Sequence, residues 1–196
     1  MSEVVKKMRQ HWKLVLGSLV ALFLFSVSVG IAGAYVLAFT STEEFCVGCH
    51  EMSYNLDEYK GTIHDTNRTG VRAICTNCHV PHEPGPLVFA KIKATKDVFY
   101  TYIAPSIDTK EKFEAKRAHM AQRVWKQMKE NDSHNCRSCH RADKMSVELQ
   151  SAGAQKRHAK GKAEGKTCIE CHFGIAHNEP EGPSPTELFT SMGMVK

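Results

Sequence analysis

The sequence is constrained most strongly by a short motif, C-x-x-C-H, that occurs four times and uses every cysteine in the chain. In this motif two thiols form thioether bonds with the vinyl groups of a c-type haem, and the adjoining histidine binds the iron. The chain is therefore predicted to carry four covalent haems c. The motif residues are Cys46, Cys49 and His50; Cys75, Cys78 and His79; Cys136, Cys139 and His140; and Cys168, Cys171 and His172.

Paired cysteines have two other common uses in proteins. A disulfide framework gives no reason for a histidine after every second cysteine. Zinc sites also use C-x-x-C pairs, but tetrahedral zinc does not require a histidine at the same offset four times. Haem attachment is thus the preferred interpretation, and disulfides and zinc are the alternatives.

Four haems on a chain of 196 residues leave little protein around each one. We expect the haems to take over much of the apolar core that side chains normally supply. The predicted fold is mainly α-helical with much irregular chain, and it consists of two dihaem halves around a haem core. Because haem propionates would offset the formal charge of +5, no nucleic-acid partner is expected.

Residues 14–42 form an uncharged, apolar run that is long enough to span a bilayer. The positive-inside rule places the basic residues 1–13 in the cytoplasm and sends residues 43–196 across the bacterial inner membrane into the periplasm. A cleaved signal peptide ending near Ala34 is the alternative, and it would export the same domain. The basic residues before the run are Lys6, Lys7, Arg9 and Lys13.

Four further histidines occupy comparable places in the two pairs of motifs. His64 and His158 lie between the motifs of their pair, whereas His82 and His177 follow the second motif of each pair. A six-coordinate haem iron needs a second axial ligand, so these four side chains are predicted to be the distal ligands. The predicted boundaries are about 43–105 and 106–180 for the halves, with a mobile, proline-rich tail at 180–196.

The first motif offers a second candidate for its iron. Met52 stands two residues after His50, and thioether sulfur is a known haem ligand. From the sequence alone, either His50 or Met52 can be the ligand of the first haem iron. His119 and His134 are weaker candidates for iron ligation than the four histidines that recur in both halves.

Two helices are predicted between the second and third motifs. Apolar residues from Leu87 to Ile103, interrupted by lysines, indicate an amphipathic helix near the membrane surface, and packing against haem is the alternative. A second helix is predicted to begin at Asp108 as its N-cap, with Glu111 at the third helical position.

Seven stretches carry a family resemblance: residues 42–46, 49–52, 67–73, 78–83, 107–109, 112–115 and 174–177. Together with the single apolar run and the four motifs, they resemble the NapC/NirT family of membrane-anchored tetrahaem cytochromes. The resemblance implies a quinol dehydrogenase that passes electrons from membrane menaquinol or ubiquinol to a periplasmic reductase in anaerobic respiration. Nitrate reductase is the favoured partner.

The resemblance also implies site residues. The family's quinol site lies beside the first haem, and its lysine and aspartate match Lys91 and Asp97. Lys91 would hydrogen-bond the quinone oxygen, and Asp97 would accept a proton. In a related nitrite-reductase partner, the methionine that matches Met52 binds the first iron.

Two other functions remain open. One is a multihaem reductase of a small nitrogen or sulfur oxyanion, and the other is an electron-storage cytochrome that the anchor only tethers. A homo-oligomer is compatible with the sequence.

Overall fold

A computed structural model of the protein describes residues 2–194. Val195 and Lys196, which end the predicted tail, lie outside the described residues. The described chain is helical and contains no strand, which confirms the prediction of a mainly helical fold. The helices are α1 (Ser2–Phe39), α2 (Glu43–Val47), α3 (Met52–Tyr59), α4 (Cys75–His79), α5 (Pro84–Tyr102), α6 (Lys110–Glu130), α7 (His134–Cys139), α8 (Ala152–Ala163) and α9 (Pro185–Ser191), with a 3₁₀ turn at Cys168–Glu170.

The chain divides into two compact units, Met1–Ser41 and Thr42–Lys196. The first unit consists of α1, and the second contains all four C-x-x-C-H motifs. The predicted halves fall within the single second unit, so the division into two dihaem halves stays a prediction.

Helix α1 is a candidate membrane span by its length and composition. Within its segment Val5–Phe39, an 18-residue window has a mean hydropathy of 2.5 and is unburied within the protein. The hydroxyls of Ser26 and Ser28 donate to the carbonyls of Leu22 and Leu24 at 2.8 Å each. Because these polar groups bond within the helix, they present no unpaired donor to a surrounding apolar phase.

The apolar core of the second unit is small. It centres on Trp125 of α6, Ile169 of the 3₁₀ turn and Phe189 of α9. So small a core is compatible with the prediction that haems supply much of the remaining apolar interior. The buried hydrophobic side chains among the described residues are Tyr59, Phe113, Trp125, Ile169 and Phe189.

The C-terminal segment differs from the predicted mobile tail. Ser184 and Glu187 form a capping box that begins α9, and the amide of Ser184 donates to the Glu187 carboxylate at 2.8 Å. Phe189 is 0% exposed and packs against Trp125 and Ile169. Burial of this aromatic ring therefore fixes residues 185–191 against the domain.

The start of α6 also differs in detail from the prediction. Thr109 is the N-cap, and its hydroxyl accepts the Lys112 amide at 3.3 Å. Asp108, the predicted cap, lies one residue earlier and forms an ion pair with the Lys112 ammonium at 2.7 Å. Because α6 begins one residue later than predicted, the Asp108 carbonyl oxygen does not accept a hydrogen bond of the helix. It lies 3.0 Å from Nε2 of His50 instead.

Candidate haem-binding site

Each C-x-x-C-H motif lies on or beside a short helical segment. Cys46 belongs to α2, α4 is the second motif, α7 carries both cysteines of the third, and Cys168 begins the 3₁₀ turn. Residues three apart share one face of a helix, so the two thiols of a motif can reach one flat group together. All eight cysteines are free thiols.

Three histidine pairs have the separation that one iron between them requires. An imidazole bound through a ring nitrogen has its centroid about 3.2 Å from the metal, so two rings on opposite sides of one iron lie about 6.3 Å apart. Each pair joins a motif histidine to a predicted distal histidine. The ring centroids are 6.0 Å apart for His64 and His140, 6.2 Å for His79 and His177, and 6.1 Å for His158 and His172.

The surroundings of these rings fit metal ligation. Nδ1 of His158 lies 2.6 Å from Oε1 of Gln150, which leaves Nε2 for a metal. The Nδ1 atoms of His64 and His177 are buried without a hydrogen-bond partner. Desolvation, the largest cause, lowers the pKa of His177 and favours the neutral imidazole that binds metals.

The same donor set suits a haem better than a bare metal ion. Among residues 2–194, no cluster of three or more His, Cys, Asp or Glu side chains is placed to hold a metal ion. A haem iron needs only two protein ligands, because the porphyrin supplies the other four. Paired thiols with one imidazole on each side are the groups that a six-coordinate haem c requires.

The first motif has a different environment. Nε2 of His50, the atom that binds iron in a c-type haem, lies 3.0 Å from the Asp108 carbonyl oxygen. Its Nδ1 lies 3.4 Å from the carboxylate of Glu51. Met52 is 37% exposed, and its sulfur is 3.9 Å from Nδ2 of Asn55. Both ring nitrogens of His50 thus face oxygen atoms, whereas the polar contact of the Met52 thioether within residues 2–194 is this weak one.

The remaining histidines have other surroundings. His82 is exposed, and the ring contacts of the described residues do not pair it with a motif histidine. Its role as a distal ligand stays a prediction. Nε2 of His134 is held by Glu83 at 2.6 Å, and His119 is exposed on α6.

The four motifs follow one another in space in their sequence order. Helix α2 contacts α4, and α4 contacts α7, which joins the first three motifs. The fourth motif lies beside the third, because the amide of Ile169 in the fourth motif donates to the hydroxyl of Ser133, the N-cap of α7, at 3.2 Å. The neighbouring thiols are Cys46 and Cys75, which share a hydrogen bond, then Cys78 and Cys139, and then Cys136 and Cys168.

The structure brings one of the two predicted quinol residues to the first motif. Lys91 is half-buried in α5; desolvation lowers its pKa, and the nearby Cys46 thiol opposes that shift. Asp97 is exposed six residues later in the same helix. That spacing places it about 9 Å along the axis and about 120° around it. Lys91 therefore adjoins the first motif, whereas Asp97 lies on another face of α5.

Sequence comparison bears on the same region of the chain. The profile described as the NapC/NirT cytochrome c family, N-terminal region, matches residues 7–182. The chain belongs to the NapC/NirT cytochrome c family.

Relatives of this NapC/NirT cytochrome differ in length. It is 46% identical over 170 residues to a tetraheme cytochrome c-type protein of Allochromatium vinosum, covering 85% of this chain and 91% of the relative. It is 49% identical over 142 residues to cytochrome c-type protein TorY of Escherichia coli O157:H7, covering 72% of this chain but 39% of TorY. It is 48% identical over 142 residues to cytochrome c-type protein NapC of Escherichia coli K12, covering 72% of this chain and 70% of NapC. No solved structure matches the chain.

An ion pair that the sequence did not reveal supports one of the histidines of this NapC/NirT cytochrome. Nη1 of Arg117 donates to Glu58 at 2.9 Å, and the Asn178 amide donates to the same carboxylate at 3.0 Å. The two side chains are 12% and 13% exposed. Because Asn178 follows His177 directly, this pair fixes the segment that carries a predicted distal ligand. The three residues lie far apart in the sequence, and no motif links them.

Glu51 is a second residue that sequence reasoning missed. It is 3% exposed, and neither carboxylate oxygen has a hydrogen-bond partner within the described chain. A carboxylate buried without a hydrogen bond is costly, and the polar neighbour that the structure gives it is Nδ1 of His50, 3.4 Å away. In the sequence, Glu51 is distinguished only as a member of the run Cys49-His50-Glu51-Met52, which contributes to the family resemblance.

Proposed function

We propose that this protein is a membrane-anchored tetrahaem cytochrome c that oxidises membrane quinol and passes the electrons to a periplasmic terminal reductase. The single observation that carries the proposal is the spatial order of the motifs. Each motif lies beside the next, and Lys91 lies beside the first. A succession of neighbouring redox centres suits electron transfer from one end of the domain to the other.

The chain's own residues would hold the four haems, which supply one-electron redox centres when bound. Three irons would each have two histidine ligands and no open position, which favours electron transfer over reduction of an oxyanion. For the first iron we propose Met52, because Nε2 of His50 faces the Asp108 carbonyl oxygen. The proposed histidine pairs are His79 with His177, His140 with His64, and His172 with His158.

The proposed quinol site lies at the first motif. Oxidation of a quinol to a quinone releases two protons and two electrons. Lys91, half-buried beside Cys46, would hydrogen-bond a quinol oxygen, and Asp97 would accept a proton on its way to solvent. Val88, three residues before Lys91 and on the same face of α5, is 41% exposed and gives apolar surface that suits a quinone ring or tail.

Helix α1 and the family support a proposal for the location and the partners. Helix α1 would anchor the protein in the inner membrane, with its basic end in the cytoplasm and the second unit in the periplasm. The quinol pool, as menaquinol or ubiquinol, is the proposed donor. Nitrate reductase is the acceptor that the family resemblance favours.

The test compares two lysines on the same helix. Lys91→Gln removes the proposed hydrogen-bonding charge, whereas Lys93→Gln removes an exposed charge two residues away. Each purified full-length protein is reduced in detergent with a menaquinol analogue and, separately, with dithionite in a stopped-flow spectrometer. We expect about a tenfold or greater loss of the quinol rate for Lys91→Gln alone, which corresponds to about 1.4 kcal/mol or more in the barrier. Equal quinol rates in the two variants would refute the placement of the site.

A further inference from the structure

The turn that precedes the third motif contacts the second and the fourth motifs. Helix α6 ends at Glu130 and α7 begins at His134, so a short turn joins them. Ser133, in this turn, is 1% exposed, and Asn135, in the first turn of α7, is 8% exposed. Cys136 of the third motif follows Asn135 directly. Buried polar side chains need hydrogen-bond partners, and these two find them in other motifs.

Asn135 binds the second motif on both sides of its iron ligand. Its Nδ2 atom donates to the carbonyl oxygen of Val80 at 2.7 Å and to that of Asn77 at 3.3 Å. Asn77 directly precedes Cys78 and Val80 directly follows His79, so the two bonds bracket the last two residues of the motif. Both carbonyls lie at the end of α4, where a helix leaves its carbonyl groups without partners. The side-chain amide uses both of its N–H donors on them.

Ser133 binds the fourth motif instead of capping its own helix. A serine at the N-cap usually accepts a hydrogen bond from an amide in the first turn of the helix. Ser133 is the N-cap of α7, but within the described chain its hydroxyl forms no such bond. The hydroxyl accepts from the amide of Ile169 at 3.2 Å, and Ile169 lies between Cys168 and Cys171. The residues just before Cys136 therefore connect the third motif to both of its neighbours.

The backbone of this turn has an unfavourable conformation. Asp132 and Ser133 have φ angles of 54° and 50°, in the left-handed region that residues other than glycine seldom adopt. Arg137 supports the turn, because its Nε donates to the Asp132 carbonyl at 2.8 Å and its Nη2 to the Asp132 carboxylate at 2.9 Å. The Ser133 amide donates to the Met128 carbonyl at 2.7 Å. Strain of this kind persists where surrounding contacts enforce it, and it is concentrated at functional sites.

We propose that Ser133 and Asn135 are positioning residues that fix the second, third and fourth haems relative to one another. The inference rests on the proposed function, because it concerns the passage of electrons along these haems. Each transfer oxidises one haem iron and reduces its neighbour, and its rate falls steeply as the two groups move apart. A side chain that ties together the attachment segments of two haems therefore sets this rate without contacting either iron.

The experiment measures the coupling between haems in the full-length, haem-loaded protein in detergent. Neighbouring porphyrins whose electronic transitions couple give a bisignate circular dichroism signal in the Soret band. The size and sign of this signal depend on the distance and relative orientation of the porphyrins. The test variants are Asn135→Ala and Ser133→Ala. The matched control is Ser138→Ala, because the Ser138 hydroxyl donates to the Asn135 carbonyl at 2.7 Å, a bond that stays within α7.

We expect the wild type and Ser138→Ala to share one bisignate Soret signal, and each test variant to lose part of its amplitude. The variants should keep four covalent haems by intact mass and the wild-type low-spin EPR signals, because no iron ligand is removed. Guanidinium unfolding is measured in parallel, since a purely structural role predicts a lower midpoint with an unchanged Soret signal. If Asn135→Ala does not retain four haems, Ser133→Ala, which removes a single acceptor, is the deciding variant.

Four results would overturn the positioning role. These are a single-signed Soret signal in the wild type, test variants whose Soret signals match the wild type, an equal change in Ser138→Ala, and a changed Soret signal together with loss of a low-spin EPR signal, which would assign the effect to iron ligation. Reduction by a menaquinol analogue is recorded on the same samples. A wild type that quinol does not reduce, with Soret signals that change only in the test variants, would overturn the proposed function and leave the positioning of the haems standing.

Discussion

Replacement of Glu58 by glutamine tests whether the buried ion pair holds the segment that carries His177. The carboxylate accepts from Arg117 at 2.9 Å and from the Asn178 amide at 3.0 Å, and it is 13% exposed. Glutamine keeps the size of the side chain but has one acceptor oxygen and no charge. Arg117 would retain Glu114, which is 44% exposed, as a charged partner, and its Nη1 would still donate to the Asn178 carbonyl at 3.4 Å.

The expected cost follows from the kind of hydrogen bond that is lost. Hydrogen bonds to a charged group contribute about 1.5–3 kcal/mol, and neutral ones contribute about 0.5–1.5 kcal/mol. Nη1 of Arg117 and the Asn178 amide both donate to Oε2, so the glutamine oxygen can keep these two bonds in a weaker, neutral form. The bond from Nη2 of Arg117 to Oε1 is lost, and we expect the free energy of unfolding to fall by about 2 kcal/mol. The loosened segment should also change the EPR signal of the haem ligated by His177.

The assay is guanidinium unfolding of the haem-loaded protein, followed by far-UV circular dichroism, with EPR of the folded sample. Glu114→Gln is the control, because Glu114 also pairs with Arg117 but does not contact Asn178. It should cost less than about 1 kcal/mol, as expected for an exposed pair, and leave the EPR spectrum unchanged. If the two variants lose equal stability and both spectra match the wild type, the proposed role of Glu58 is wrong.

The remaining predictions concern pH, ligands and packing. Although burial opposes ionisation of Glu58, hydrogen bonds from Arg117 and Asn178 hold its pKa below 4.5, the ordinary value. The stability difference between wild type and Glu58→Gln should thus be complete above pH 4.5 and disappear as the pH falls through the lower, folded-state pKa in a pH series of unfolding curves. His64→Ala and His158→Ala should each convert one low-spin haem to high-spin by EPR while intact mass shows four covalent haems; unchanged spectra would contradict the pairs. Phe189→Ala should lower the unfolding free energy by about 3–5 kcal/mol, measured by denaturant titration, and a loss below about 1 kcal/mol would mean that the C-terminal helix is not anchored.

The sequence was sufficient for features that depend on a fixed local spacing. The four C-x-x-C-H motifs, the apolar run of α1 and the helical character of the domain are each encoded within a few neighbouring residues. The repeated placement of histidines also indicated His64, His158 and His177, which the structure sets opposite motif histidines. His82 occupies a similar place in the sequence, but no motif ring lies opposite it within the described residues.

Features that depend on contacts between distant segments were not predictable in the same way. His140 meets His64 and His79 meets His177, so these pairs cross between the predicted halves. The Glu58–Arg117 pair likewise joins residues that no local pattern relates. The helix at Pro185–Ser191 was not predicted for a different reason. The prolines before it and at its first position indicated irregular chain, and its capping box of Ser184 and Glu187 is a short signal.

The most direct test of electron entry at one end and passage along all four centres is a quinol titration followed by EPR. Full-length ferric protein in detergent is mixed anaerobically with a menaquinol analogue, frozen and compared with a dithionite-reduced sample. The proposed function predicts that quinol diminishes the low-spin ferric signals of the histidine-paired haems, beyond any change at the first haem. If the low-spin ferric signals persist in the sample mixed with quinol but disappear in the sample reduced with dithionite, the proposed function is wrong.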